Sequence, residues 1–260
     1  MTDSKTLLDC RDLTVKFGGL TALNALNLSA QQNEILGLIG PNGSGKTTFF
    51  NVVTGIYSAA SGETSFEGHH ITRLSPQAIY HSGVARTFQR SRLCLPLSVL
   101  DNIMVGDYQH FNHGVLFNLF CRKSLRKQYE QNYSVTKELL QTFNEKLAER
   151  LFEPITALNM IDRRRVEICR ALISRPKLLL LDEPSAGMTH DETRELMDDI
   201  LQVRERMAGL TIIIIEHEMN VIERITDRCI VINYGQKIAE GTYAEVAADK
   251  EVQQAYLGQD

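Results

Sequence analysis

Short apolar runs alternate along this chain with segments in which apolar residues recur every three to four positions. The run Glu34-Ile-Leu-Gly-Leu-Ile39 predicts a buried strand that enters a Gly-rich turn. The next segment predicts a helix that starts near Lys46 and stops near Gly55, a residue suited to the position just past a helix end. Residues 177–181 predict a second buried strand and 210–215 a third. Between them, Thr189-His-Asp-Glu192 reads as a capping box, followed by Leu196, Met197, Ile200 and Leu201 on one helical face. Residues 229–233, the turn at Tyr234-Gly235 and residues 237–239 predict a hairpin. A second capping box, Thr242-Tyr-Ala-Glu245, opens a short terminal helix. Buried strands alternating with amphipathic helices predict an α/β fold with a mostly parallel sheet.

The middle of the chain differs. From about residue 89 to 165 the strand pattern fades into long mixtures of polar and apolar positions, such as residues 124–151. This predicts a helical lobe inserted into the α/β core. The expected division is one domain over 1–260, with a core made of 1–88 and 166–260 and a helical subdomain at 89–165.

Composition narrows the function classes. At 260 residues and 43% hydrophobic the chain can bury a substantial core. A formal net charge of −4 supplies no global basic field for nucleic acid or an anionic membrane. The five cysteines, Cys10, Cys94, Cys121, Cys169 and Cys229, are scattered and form no C-x-x-C pair, so reduced thiols in a cytosolic compartment are the simpler reading. Residues 1–12 are charged and carry no apolar core, unlike a signal peptide. The longest aliphatic runs are far shorter than a membrane span, so a role in transport requires another chain to supply the membrane path.

The most specific chemistry lies after the first buried strand. Gly40, Pro41, Asn42, Gly43, Ser44, Gly45, Lys46 and Thr47 fit the pattern G-x-x-x-x-G-K-S/T. Such a loop exposes successive backbone N–H groups and its glycines admit a phosphate closely. The helix behind it adds the positive end of its dipole. Lys46 is then placed to reach the β- and γ-phosphates and the Thr47 hydroxyl to bind Mg²⁺. The plain alternative is a Gly-rich loop without a ligand. A dinucleotide loop is another, but the spacing is not G-x-G-x-x-G and such a loop has no need of Lys46 and Thr47.

Leu178-Leu-Leu-Leu-Asp-Glu183 sets two acids at the end of a buried strand. Asp182 is placed to orient the magnesium shell and Glu183 to hold and deprotonate an attacking water, although acids at a strand end are often only solvated. His217 follows the third strand, where its imidazole either meets the γ-phosphate or packs structurally; Glu216-His-Glu218 is not H-E-x-x-H, so zinc is not indicated.

In order and spacing these pieces resemble the ABC (ATP-binding cassette) ATPases over nearly the whole chain. Residues 36–48, through Thr48, resemble the family's Walker A segment and 177–184 its Walker B segment. Arg86-Thr-Phe-Gln89 resembles the Q-loop, which implies that Gln89 touches magnesium and relays its state to a membrane partner. Ser185-Ala-Gly-Met188 resembles the D-loop, and Ile215-Glu-His-Glu218 the segment of the switch histidine. Phe17 resembles the aromatic that stacks on adenine; its plain alternative is a core phenylalanine. The implied fold is a P-loop NTPase (RecA-like) core with an N-terminal antiparallel β portion and an inserted α-helical subdomain. The implied cofactors are ATP and Mg²⁺.

Within the family the chain is most similar to the ATPases of branched-chain amino acid uptake systems. That similarity rests on Phe17-Gly-Gly-Leu-Thr-Ala-Leu23, Phe49-Phe-Asn-Val-Val-Thr-Gly55, Ala85-Arg-Thr-Phe-Gln89, the segment around 106–132 and the Ala255-Tyr-Leu-Gly258 end. It implies an ATP-hydrolysing motor on the cytoplasmic face of the cell membrane. Its partners would be permease subunits, a second ATPase subunit and an extracytoplasmic solute-binding protein. A permease contact is expected near 89–102, where Arg90, Arg92, Leu93, Leu95 and Leu97 mix charge with apolar groups.

One element departs from the family. Where the signature L-S-G-G-Q belongs stand Leu158, Asn159, Met160, Ile161 and Asp162. Asn159 can still cap the following helix. Met160 and Ile161 put side chains where glycines allow backbone approach, and Asp162 is expected to bring negative charge toward a phosphate. The expectation is a heterodimer in which this chain's ATP meets a normal partner signature, while the partner's ATP faces the altered one. Two alternatives are a soluble ABC ATPase acting on nucleic acid or the ribosome and a regulatory cassette that binds ATP without hydrolysing it.

Overall fold

The computed structural model describes residues 5–110 and 122–257. Residues 111–121, which include Cys121 and part of the 106–132 segment, lie outside the described residues, as do residues 1–4 and Gly258. In chain order the elements begin with β1 (Thr6–Phe17), β2 (Leu20–Gln31), β3 (Ile35–Ile39), α1 (Lys46–Val53), β4 (Ser61–Phe66) and β5 (His69–His70). Next come α2 (Pro76–His81), β6 (Val84–Arg86), α3 (Val99–Met104), a 3₁₀ turn at Val105–His110, α4 (Arg122–Phe143) and α5 (Glu145–Ala148). A second 3₁₀ turn at Ile155–Ala157 leads to α6 (Met160–Leu172), β7 (Leu178–Asp182), α7 (His190–Arg206) and β8 (Thr211–Ile215). The chain continues with α8 (Met219–Ile225), β9 (Arg228–Asn233), β10 (Gln236–Gly241), α9 (Tyr243–Ala248) and α10 (Lys250–Leu257).

These elements form two compact units, one from Met1–Arg86, Lys177–Ala186 and Met207–Asp260, the other from Thr87–Pro176 and Gly187–Arg206. The first contains a six-stranded sheet of order β10-β9-β3-β8-β7-β6, parallel except for β10. Every residue of β3, β7 and β8 is buried. Strands covered on both faces read as continuous apolar runs, which is why these three stand out in the sequence. A four-stranded antiparallel sheet of order β2-β1-β4-β5 belongs to the same unit, as expected for the N-terminal portion. Phe49, Phe50, Val52 and Val53 of α1 share one core with Leu8, Leu13, Leu23 and Leu26 of the antiparallel sheet and Leu36, Leu38, Leu178 and Leu180 of the parallel one. Gly55 adopts φ 72° and its amide bonds the Val52 carbonyl (3.0 Å), closing α1 where the sequence predicts.

The second unit is helical and takes more of the chain than 89–165. Residues 166–176 and 187–206, which the sequence groups with the α/β core, pack here instead. The reason is polar as much as apolar. Arg165 of α6 donates to Glu195 and Asp199 of α7, and Arg206 of α7 donates to Thr142 of α4 (3.1 Å). Both capping boxes form: Glu192 N–H donates to Thr189 Oγ1 and Thr189 N–H to Glu192 Oε2, and Thr242 and Glu245 exchange the same pair. Among the described residues no helix is long and apolar enough to cross a membrane, and Cys10, Cys94, Cys169 and Cys229 are free thiols.

Candidate nucleotide site

Strand register assembles the site. β3 lies between β8 and β9, and β8 lies between β3 and β7. Gly37 pairs with Ile214, so Gly40 and His217, each three residues further on, leave the sheet at the same level. Asp182 pairs with Ile215, which puts Glu183 beside the residues that follow β8. Ligands of open α/β sheets bind at these carboxyl ends of the strands.

The loop from Gly40 to Lys46 wraps the N-terminus of α1. Gly40 has φ 148°, and a Cβ there would fall 2.0 Å from the Ile232 carbonyl oxygen of β9. The hairpin turn between β9 and β10 braces the loop: Gly235 N–H donates to the Ser44 carbonyl (2.8 Å) and the Gly235 carbonyl accepts from Asn24 N–H (3.0 Å). Pro41, Ser44 and Lys46 are buried, Gly45 and Thr48 half-buried, and Asn42, Gly43 and Thr47 exposed. The first turn of α1 contains no acid and no side-chain cap, which leaves its amides and dipole to an anion.

Lys46 Nζ donates to the Gly40 and Pro41 carbonyls (2.6 and 2.9 Å). Burial lowers its pKa, and Glu183 and Asp182 oppose that shift by holding the ammonium charged. Asp182, at the end of β7, is 2% exposed and accepts from Arg86 Nη2 (2.7 Å). Burial raises its pKa against the Arg86 hydrogen bond. Its other oxygen, Oδ1, and the Ser44 hydroxyl are buried without a hydrogen-bond partner. Each such group costs about 1–3 kcal/mol unless something satisfies it. A buried hydroxyl in a phosphate loop and a buried carboxylate oxygen beyond it are the donor set a phosphate with its hydrated magnesium would complete. The residues fit MgATP.

Glu183 takes a left-handed backbone (φ 49°), while its N–H still bonds the Ile215 carbonyl (2.9 Å). His217 Nε2 lies 2.8 Å from Glu183 Oε1, within hydrogen-bond distance. A non-glycine residue held in this conformation is a strained one, characteristic of functional turns. Two residues absent from the sequence reading of the site brace its acids, Glu216 behind Glu183 and Asn51 behind Asp182 through Arg86. Glu216, buried, accepts from Ser185 N–H (2.8 Å) and so ties the chain after Glu183 to the chain before His217. Asn51, a lone amide among Phe49, Phe50, Val52 and Val53, accepts from Arg86 Nη1 (2.7 Å). Its signal in the sequence was a single amide inside the apolar run from Phe49 to Val53.

Phe17 ends β1, 45% exposed, with its ring edge-on to Tyr57 (centroids 5.1 Å, planes at 76°). It is no core phenylalanine. Gln89 is exposed and belongs to the second unit. So does the altered signature segment. Asn159 caps α6, its Oδ1 accepting from Asp162 N–H (2.9 Å). Met160 is 51% exposed, whereas Leu158 and Ile161 are buried. The expected free charge on Asp162 is not there: the carboxylate is buried and accepts from Arg165 Nη1 (3.1 Å). Leu93 is also buried, leaving Leu95 and Leu97 as the exposed apolar residues of the expected permease contact.

The family model described as ABC transporter matches residues 23–186, which carry the phosphate loop and both acids. A second model, described as branched-chain amino acid ATP-binding cassette transporter, matches residues 236–260. The chain is 37% identical to the high-affinity branched-chain amino acid transport ATP-binding protein LivG of Escherichia coli, over 98% of this chain and 99% of that one. It is 35% identical to the corresponding protein BraF of Pseudomonas aeruginosa over the same shares. The crystal structure of the ADP conformation of an ATP-binding cassette of an ABC transporter superposes with TM-score 0.84 at 31% identity, covering 98% of this chain and all of that one. With its phosphate loop, strand-end acids and histidine inside that match, the chain belongs to the ABC transporter family, among the ATP-binding cassettes.

Proposed function

We propose that this chain is the ATP-hydrolysing subunit of a transporter that imports branched-chain amino acids. It works at the cytoplasmic face of the membrane with permease subunits and an extracytoplasmic solute-binding protein. One observation carries the catalytic part: Glu183, in a strained turn at the end of β7, is held at 2.8 Å by His217 from the end of the adjacent β8. The two lie on the same sheet end as the phosphate loop and Asp182. The transport part rests on the near full-length similarity to LivG and BraF.

In the proposed reaction the loop amides of residues 42–48 and Lys46 hold the β- and γ-phosphates, and Phe17 stacks on the base. Thr47 and Asp182 would hold the magnesium, which when bound would neutralise charge on the transferring phosphoryl group. Glu183 takes the proton of the attacking water as that oxygen bonds the γ-phosphorus and the β–γ bridging bond breaks, giving ADP and phosphate. His217 keeps the Glu183 carboxylate aimed at that water.

The second site of a cassette pair is read from Asp162. Because Arg165 turns that carboxylate inward, the altered signature presents Met160 and the α6 N-terminus rather than a negative charge. It lacks the glycine backbone of the usual signature. We read the working complex as a heterodimer whose partner has a normal signature. Glu183→Gln tests both parts. General-base loss should lower hydrolysis in the assembled complex by about 10²–10⁴-fold while ATP binding persists; near wild-type turnover would remove Glu183 from its role. On size exclusion with MgATP the variant chain alone should remain monomeric; a nucleotide-driven homodimer would overturn the heterodimer reading.

A further inference from the structure

Arg86 is the last residue of β6 and pairs in register with Leu180 of β7. Side chains of residues two apart on a strand share a face, so Arg86 stands on the face of Asp182, which ends β7. That face is covered by α1, and the guanidinium lies over the Phe50 ring (5.3 Å to its centroid). Its two terminal nitrogens diverge. Nη2 donates to Asp182 Oδ2 (2.7 Å) and Nη1 to Asn51 Oδ1 (2.7 Å), with Thr54 Oγ1 at 3.4 Å. The pair is dry, the Arg86 and Asp182 side chains being 5% and 2% exposed. The remaining Asp182 oxygen, Oδ1, has no partner.

We propose that Arg86 is a positioning residue for the metal site. It clamps one oxygen of Asp182 against the helix that follows the phosphate loop, so that the other, unpartnered oxygen would be left to the hydrated magnesium of MgATP. A carboxylate on a strand end has a torsion free to rotate, and a ligand set by an outer partner loses that freedom before the metal arrives. Only a planar fork can hold Asn51 and Asp182 together; a lysine ammonium on the same stem reaches one of them as a point charge. Nothing else described contacts Asp182 with a full positive charge at hydrogen-bond distance. The inference rests on the MgATP reading of the site.

The test measures metal binding rather than turnover, with Mn²⁺ as the spin probe and a fluorescent ATP analogue, on the full chain. Outer partners of metal ligands typically contribute about 10–100-fold to metal affinity. Arg86→Gln should therefore weaken Mn²⁺ binding in the nucleotide complex by about that factor. Analogue affinity in EDTA should not change. Arg86→Lys should recover part of the loss. Wild-type Mn²⁺ affinity in Arg86→Gln, or an equal loss of analogue binding with and without metal, would overturn the assignment. Should Arg86→Gln not fold, Asn51→Ala removes the other prong. It should lower Mn²⁺ affinity without touching EDTA-phase binding, and an unchanged affinity would count against the clamp. A wild-type chain that bound the analogue no more tightly with Mn²⁺ than in EDTA would instead refute the MgATP reading, and this inference with it.

Discussion

Replacing Arg165 by methionine should destabilise the helical unit severely, and by an amount that depends on pH. Arg165 is 2% exposed and donates Nε to Asp199 (2.8 Å), Nη1 to Asp162 (3.1 Å) and Nη2 to Glu195 (2.6 Å). Methionine keeps much of the apolar stem but leaves Asp199 buried without its counter-ion, and Asp162 with only Arg150 at 3.9 Å. Removing one partner of a buried ion pair costs about 3–5 kcal/mol, a large share of the roughly 5–15 kcal/mol that holds a typical domain folded. The Glu195 contact is a minor part, because that carboxylate is more than half exposed and such pairs contribute at most about 1 kcal/mol.

The pH dependence follows from Asp199. Burial raises its pKa from 3.8 to about 6 despite the Arg165 hydrogen bond and charge, which pull it down. Without Arg165 it rises further. A carboxyl whose folded pKa lies above its unfolded value binds its proton more tightly when folded. Its ionisation therefore takes stability away as pH rises from 3.8 through about 6, and in the variant on to higher pH. The loss in Arg165→Met should thus be largest near pH 8 and shrink near pH 5, where the variant's Asp199 is neutral. Urea unfolding followed by far-UV circular dichroism at the two pH values measures it. A loss below about 1 kcal/mol near pH 8, or equal losses at both values, would refute the reasoning that these carboxylates depend on Arg165.

Two further substitutions probe backbone and cap. Gly40→Ala forces a Cβ to within 2.0 Å of the Ile232 carbonyl oxygen at φ 148°, so the loop must move; calorimetric titration should show ATP binding lost, and wild-type affinity would mean the loop entry is not rigid. Thr242→Ala breaks the reciprocal Thr242–Glu245 bonds at the start of α9 and should cost about 1 kcal/mol, a fall of about 2–4 °C in melting midpoint at this chain length, with hydrolysis unchanged.

What could be read from the sequence was local. The phosphate loop, the helix that begins at Lys46 and ends before Gly55, the caps at Asn159, Thr189 and Thr242 and the strands around Leu36, Leu180 and Ile213 each depend on residues a few positions apart. Short-range periodicity and cap chemistry therefore carry them. What the tertiary structure decided was long-range. The register of β7 on β8 sets Glu183 beside His217, 34 residues away, and that of β6 on β7 sets Arg86 beside Asp182, 96 residues away. Likewise the sequence reads Asp162 of the altered signature as a negative charge brought toward a phosphate. Arg165, three residues on in the same helix, turns it inward, while packing of α6 against α7 adds Asp199 and Glu195 to that arginine and draws α7 into the helical unit. The physical reason is that a buried charge is defined by its partner, and for Asp182 with Arg86 and Asp199 with Arg165 no short window along the chain contains both.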